Sequence, residues 1–94
     1  MIRHIVLWEL IDPARADEFA GILRTCAGLV DGMRTFEVTV RDAGGDSTCD
    51  VALVSSFDDA AALQAYLDHP VHREASRQLG PMRRDKHVVD AVVD

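Results

Sequence analysis

The first residues after Met1 form a strand pattern that is apolar on both faces. Ile2–Leu10 reads Ile-Arg-His-Ile-Val-Leu-Trp-Glu-Leu, and successive side chains of a strand point to opposite sides of a sheet. One face would carry Ile2, His4, Val6, Trp8 and Leu10, and the other would carry Ile5 and Leu7. A sheet that contains such a strand needs cover on both of its faces.

Three further segments have strand patterns. Cys49–Phe57 and His87–Val93 are again apolar on both faces, whereas Arg34–Arg41 alternates cleanly between apolar and polar residues. Such an alternation is typical of a half-exposed strand. A polar, Gly-rich turn joins Arg34–Arg41 to Cys49–Phe57, so these two strands are predicted to form a hairpin.

Helical patterns separate the strands. Asp12 and Pro13 predict a helix start, with Asp12 as N-cap and Pro13 at the first helical position. Apolar residues at helical spacing predict that this helix continues to about Val30: they are Phe19, Ile22, Leu23, Cys26, Leu29 and Val30. A second helix is predicted from Asp58 or Asp59. Pro70 interrupts it, so His69 should lie in a break before a short helix that ends at Gly80-Pro81.

The order β-α-β-β-α-β predicts an α+β fold of the ferredoxin-like type, with an antiparallel sheet and both helices on one face. The 94 residues form one domain, 1–94, and a chain of this size buries only ~60–65% of its unfolded surface. The face without helices therefore needs other cover. A second copy of the chain is the simplest cover, and two sheets packed face to face would form a barrel-like homodimer.

Composition excludes several classes of function. The net charge of -6 argues against nucleic-acid and membrane-surface binding, because both need a basic face. No signal-peptide pattern or run of 18 apolar residues is present, so a cytoplasmic protein is expected. Cys26 and Cys49 lack C-x-x-C spacing and are expected to be ordinary buried thiols. No phosphate-binding loop or dinucleotide fingerprint occurs, so no cofactor is expected.

Imidazole and phenol groups concentrate in Tyr66–His72, which reads Tyr-Leu-Asp-His-Pro-Val-His. On one continuous helix Tyr66 and His72 would lie about 240° apart around the axis. The break at Pro70 lets the second helix turn back, so that the two side chains can converge on one cavity. This pair suits proton transfer, because histidine titrates near neutrality and tyrosine can donate a proton.

Four segments together resemble the stress-responsive A/B barrel (Dabb) family. They are Met-Ile-Arg-His-Ile-Val-Leu-Trp at the start, Asp50–Phe57, Ala65–His72 and the closing His87-Val-Val-Asp90. The most specific piece is Tyr-x-x-His-Pro-x-His, and the resemblance covers nearly the whole chain. It implies a ferredoxin-like homodimer, a dimeric α/β barrel, and the family includes polyketide cyclases of the olivetolic acid cyclase type.

The resemblance also implies roles for individual residues. His72 matches the catalytic base of those cyclases and Tyr66 its phenolic partner, acting on the enolisable carbons of a polyketide. His4 matches a histidine of the pocket wall. A further pocket histidine of the plant cyclase falls at Val51 here, which argues against the same substrate. The expected substrate-binding residues are His4, Trp8, Val51 and His69.

The expected function is binding of a small apolar, aromatic or polyketide-like ligand in a cavity between sheet and helices, with His/Tyr acid–base chemistry of a cyclase-like lyase or isomerase. One alternative is a non-catalytic ligand-binding or stress-response dimer, in which His69 and His72 only fix a helix junction. Another is a cofactor-independent monooxygenase of the same architecture, with Trp8 and His4 lining the cavity.

His4, His69 and His72 are a further possible combination, as ligands of a metal ion, since imidazoles are common transition-metal ligands. The break at Pro70 takes His69 off the helical face of His72, and no nearby carboxylate supplies a further ligand. No metal is therefore expected.

The segment Arg73–Lys86 is rich in basic residues. One interpretation is a positive rim that attracts a carboxylate or a phosphopantetheine-bearing substrate. The other is a solvated helix face that contains an ion pair between Glu74 and Arg77.

Overall fold

The computed structural model describes residues 1–93. The strands are Ile2–Leu10 (β1), Met33–Val40 (β2), Val51–Phe57 (β3) and Arg83–Val92 (β4), and the α-helices are Ala16–Arg24 (α1), Ala60–Asp68 (α2) and Pro70–Leu79 (α3). Two 3-10 turns, Pro13–Arg15 and Gly80–Met82, precede α1 and β4. The sheet order is β2-β3-β1-β4 with antiparallel neighbours. The predicted ferredoxin-like α+β fold is confirmed.

The helices cover the face of β1 that carries its even-numbered residues. Val6, Trp8 and Leu10 are buried on this face, and they pack with Leu53 of β3 and Phe19 of α1 in one core cluster. A second cluster joins α2 and α3 to the end of β3 and contains Cys26, Phe57, Leu63, Tyr66 and Ala75.

The first α-helix ends earlier than predicted, at Arg24 rather than near Val30. The backbone N–H groups of Thr25 and Cys26 donate to carbonyls three residues back, and Gly28 has a positive φ of 72°, which suits glycine. Cys26 is nevertheless fully buried. The apolar spacing persists through these turns, and that is why it predicted too long a helix.

Two strands also begin two or more residues away from their predicted starts. β4 begins at Arg83 rather than His87 because its polar start pairs through the backbone with the end of β1, where Leu10 is opposite Arg83. β3 begins at Val51 rather than Cys49. The buried Asp50 accepts a hydrogen bond from Leu10 N–H at 2.8 Å and lies 3.2 Å from the Arg41 guanidinium, so this side chain joins the ends of β1 and β2.

The predicted break between the last two helices is present. Asp59 is the N-cap of α2, where its side chain accepts from the Ala62 N–H at 2.9 Å. His69 has an extended backbone, with φ −63° and ψ 136°, as the residue before a proline prefers. Pro70 then occupies the first position of α3. The chain thus changes direction between Tyr66 and His72.

The sheet face opposite the helices is apolar at its centre, and none of residues 1–93 covers it. Ile5 is paired with Val54 on one side and with Val89 on the other. The exposed fractions of Leu7, Val54 and Val89 are 37%, 37% and 57%. We call this surface the open face.

Candidate functional site

A cavity of about 280 Å³ lies between the helix-facing side of the sheet and the helices. Its wall is formed largely by apolar side chains, among them Val6, Trp8, Leu53, Leu79 and Val88. Polar or charged side chains also line it, among them His4, Tyr66, His72, Arg83, Lys86 and Asp90. An apolar pocket with a few convergent polar groups is the usual form of a small-molecule site.

Tyr66 and His72 meet in this cavity. Their ring centroids are 4.6 Å apart, with an angle of 55° between the ring planes. Tyr66 is only 1% exposed, and its ring also packs against Phe57 at 5.3 Å and Phe36 at 6.3 Å. The aromatic neighbours hold the phenol in place, and the break at Pro70 turns the imidazole towards it.

The hydrogen bond of His72 determines its tautomer. Nδ1 of His72 lies 3.0 Å from the carbonyl oxygen of Leu67, and a carbonyl can only accept, so Nδ1 carries the proton and Nε2 is the free base. In an unbroken helix the Leu67 carbonyl would accept from the Val71 N–H. Here that N–H donates to Nδ1 of His69 at 3.1 Å instead. The helix break therefore frees the carbonyl that orients His72.

Burial keeps both members of the pair neutral. Burial lowers the pKa of His72 below its ordinary value of 6.5, outweighing the opposite effect of the Leu67 carbonyl, and the charge of Lys86 adds to the lowering. Burial likewise raises the pKa of Tyr66 well above its ordinary range, with a further contribution from the Cys26 thiol. At neutral pH the site thus combines an unprotonated imidazole nitrogen with a protonated phenol.

His4 brings a second imidazole to the same end of the cavity. Its ring centroid is 6.3 Å from that of Tyr66, and its Nδ1 is hydrogen-bonded to the carboxylate of Asp90. Asp90 stands directly opposite His4 in the pairing of β1 with β4. The sequence reasoning did not single out Asp90. The available signal was an acidic residue within the apolar run His87–Val93.

Not every predicted site residue reaches the cavity. Trp8 lines it and packs edge-on against Phe19 at 5.2 Å. Val51 is buried in the core cluster of α1 and the sheet and is not among the lining residues. His69 is also outside the wall, and its imidazole caps the start of α3. The cavity of one chain therefore contains His4, Trp8, Tyr66 and His72 but not the other two.

The basic residues of Arg73–Lys86 divide into two groups. Arg77 pairs with Glu74, with Nε and Oε2 2.9 Å apart, as the solvated-helix interpretation predicts. The guanidinium of Arg73 lies 3.5 Å from Asp68. Arg83 and Lys86, by contrast, line the cavity. Within residues 1–93, no group of three or more His, Cys, Asp or Glu side chains is placed to hold a metal ion.

The chain is similar to proteins that share this fold. It is 37% identical over 78 residues to a protein of Streptomyces coelicolor, covering 78% of this chain and 80% of that one. A dimeric ferredoxin-like protein from Thermobifida fusca superposes with a TM-score of 0.86 at 24% identity, over 98% of this chain and 90% of that one. No helix in the described part of the chain is long and apolar enough to cross a membrane.

Two solved structures with named chemistry have the same fold at low identity. An antibiotic biosynthesis monooxygenase matches with a TM-score of 0.81 and 14% identity, over 100% of this chain and 99% of that one. Hydroxynitrile lyase from Passiflora edulis matches with a TM-score of 0.79 and 17% identity, over 99% and 93%. The family model of the stress responsive A/B barrel domain matches residues 2–93, and the chain therefore belongs to the stress responsive A/B barrel domain family.

Proposed function

We propose that the protein binds a small, largely apolar carbonyl compound and removes a proton from the carbon next to the carbonyl. The observation that carries this proposal is the pair of Tyr66 and His72, whose ring centroids are 4.6 Å apart in one cavity. Tyr66 has a protonated phenol, and His72 has a free Nε2. Such a reaction needs a base for the proton and a donor for the enolate oxygen.

The roles follow from the two protonation states. His72 takes the proton at Nε2, and its Nδ1–H remains bonded to the Leu67 carbonyl, which stabilises the imidazolium as it forms. The phenol of Tyr66 donates to the carbonyl oxygen as negative charge develops there. The hydrogen bond between His4 and Asp90 holds a second imidazole at the same end of the cavity.

The cavity limits the size of the substrate. Ligand sites usually measure roughly 300–1,000 Å³, so a cavity of about 280 Å³ is slightly smaller than most. A compound with one ring and a short side chain suits this volume. The family resemblance implies a polyketide-like substrate, and the substrate proposed here shares with a polyketide only the enolisable carbonyl.

We also propose that the protein is a homodimer joined through the open face, forming a dimeric α/β barrel. The centre of that face is a contiguous apolar patch around Ile5, Leu7 and Val54, and large exposed apolar patches on soluble proteins often mark interaction sites. The similar protein of Thermobifida fusca is a dimer. In this arrangement the cavity stays within each chain, between sheet and helices, and the partner covers the opposite side of the sheet.

Proton exchange in D₂O tests the proposed reaction. The probe is phenylacetone, a neutral ketone whose benzylic protons exchange slowly by themselves and are followed by proton NMR. The wild-type protein should accelerate exchange, and His72→Ala should lower that acceleration by ~10²–10⁴-fold. Tyr66→Phe should lower it by about tenfold or more. His69→Asn is the matched control, because it removes an imidazole outside the cavity and keeps a residue suited to capping.

Equal exchange rates for wild type and His72→Ala would contradict the proposal. If phenylacetone nevertheless bound, the non-catalytic ligand-binding alternative would replace it. Consumption of dissolved oxygen with an electron-rich phenol, dependent on His4 and Trp8, would instead support the monooxygenase alternative.

A further inference from the structure

We propose that the cavity selects a ligand with an anionic oxygen group, in the simplest case a carboxylate, held by Arg83 and Lys86 while the apolar part of the ligand lies between β1, β4 and α3. This inference deepens the proposed function and rests on it only in taking the cavity as a ligand site. It does not depend on proton removal by His72.

The first argument is that the nearby carboxylates are already engaged. Each has a basic partner other than Arg83 and Lys86: Glu9 with Arg84, Glu74 with Arg77, Asp85 with His87, and Asp90 with His4. Among residues 1–93, neither the Arg83 guanidinium nor the Lys86 ammonium has a carboxylate within ion-pair distance. Two unpaired cations facing one cavity are notable in a chain of net charge -6.

The second argument concerns the surroundings of Lys86. Desolvation lowers the pKa of its ammonium group, and the positive charge of Arg83 lowers it further. An ammonium group that loses water and stands near a like charge is stabilised by an anion that enters between them. A bound carboxylate would supply the charge that the protein itself does not provide at this place.

The third argument is the arrangement of groups along the cavity. In the pairing of β1 with β4, Lys86 stands opposite Trp8, Val88 opposite Val6, and Asp90 opposite His4. Four residues of a strand span about 13 Å, so the cationic end and the end with the imidazoles are separated by an apolar middle. A ligand whose anionic group is at one end would present its other end to the phenol and imidazole.

The position of these two residues distinguishes them from the other basic side chains. Arg73, Arg77 and Arg84 have carboxylate partners and do not line the cavity. A general attraction of anions to a basic rim would involve all five residues about equally. A specific site should depend on Arg83 and Lys86 alone.

Binding of phenylacetate and of its neutral counterpart phenylacetamide, measured by NMR titration, tests this inference. Phenylacetate should bind about tenfold or more tightly than phenylacetamide, because charge-assisted hydrogen bonds are the strong ones. Lys86→Met and Arg83→Met should each weaken phenylacetate binding by about fivefold or more and leave phenylacetamide binding unchanged. Arg73→Met removes the same charge outside the cavity and should change neither affinity.

Equal affinities for the acid and the amide would overturn the inference, as would no binding of phenylacetate at millimolar concentration or an equal loss in Arg73→Met. Circular dichroism and a thermal melt confirm that each variant is folded, and Lys86→Gln provides a second variant that retains a polar side chain. The probes need no turnover. If the wild type binds the acid and the amide equally but accelerates the exchange of phenylacetone, only the anion site is rejected. If it prefers the acid but does not accelerate exchange, only the proton-transfer chemistry is rejected.

Discussion

Soluble proteins usually bury apolar groups and expose polar ones, and the two faces of this sheet depart from that pattern in opposite ways. The face under the helices is sheltered but carries polar groups, since His4 and Ser55 are buried there and Ser55 donates to the His4 carbonyl at 3.0 Å. The open face is accessible but apolar at its centre, with Leu7 and Val54 each 37% exposed. A polar group in a sheltered place and an apolar patch in an accessible one are the two informative exceptions in a soluble protein.

The two faces place different requirements on the side chains of the same strands. Neighbouring residues of β3 illustrate it: Leu53 belongs to the core and lines the cavity, whereas Val54 points away from both. Side chains of one parity are therefore constrained by the packed interior and by the wall of the cavity. Side chains of the other parity are constrained by what covers the sheet from outside.

The largest effect is expected from a charge at the centre of the open face. Leu7→Asp should dissociate the proposed homodimer and lower the free energy of unfolding by about 3–5 kcal/mol, because an unpaired charge would be buried at the proposed interface. Sedimentation equilibrium and urea unfolding measure the two effects. Ala61→Asp adds the same charge on the exposed surface of α2. This variant should neither dissociate the dimer nor lower the free energy of unfolding. A stable monomeric wild type would refute the role assigned to the open face.

The next comparison uses two adjacent residues. Leu53→Ala should cost about 2–5 kcal/mol at any protein concentration, because it leaves a cavity in the core of the chain. Val54→Ala should cost less, about 1 kcal/mol, and the loss should depend on protein concentration, because its cover comes from a partner. Thermal melts at two concentrations a hundredfold apart distinguish the two behaviours. Identical concentration dependence for both variants would contradict this assignment.

A smaller effect is expected from the polar pair under the helices. Asp90→Ala should lower the free energy of unfolding by about 1 kcal/mol, because it leaves the buried His4 ring without its partner. Asp90 is 44% exposed, so water replaces part of the lost contact. Replacing both residues, in His4→Leu with Asp90→Ala, should restore most of that stability while impairing the exchange of phenylacetone. A double variant less stable than Asp90→Ala would show that the pair is structural.

The smallest effect is the pH dependence contributed by His72. Its pKa is lowered in the folded chain, so the unfolded chain takes up the proton first as the pH falls. Stability is therefore complete above about pH 6.5 and decreases as the pH falls through the lowered pKa. Urea midpoints of wild type and His72→Gln between pH 8 and 5 isolate this contribution. The wild type should lose more stability than the variant, and parallel curves would count against a buried neutral imidazole.

Local patterns predicted much of the fold. The alternation of Ile2–Leu10 and the interruption at Pro70 each reflect forces that act over a few residues, and both appear in the structure where expected. The errors in the strand starts came from contacts between distant parts of the chain. Arg83 joins β4 because the backbone of β1 is available opposite it, and no property of its side chain indicates this.

Only part of the site could be predicted from local patterns. Tyr66 and His72 are close in sequence, and the proline between them explains why they converge. Asp90 pairs with His4 across 86 positions, so finding it required the register of β1 against β4. Predicting the cap formed by His69 required the position of its ring, because Nδ1 accepts from the Val71 N–H. The divided roles of the basic segment likewise depend on where α3 ends and β4 begins.

The exposure of β4 has a consequence for how fast ligands exchange. Val88 is 48% exposed although it faces the cavity, so the wall on this side is also the entrance. A ligand can enter along this strand without a helix or loop first moving aside. Association should then be a single step whose observed rate rises linearly with ligand concentration, with no plateau from a slow opening.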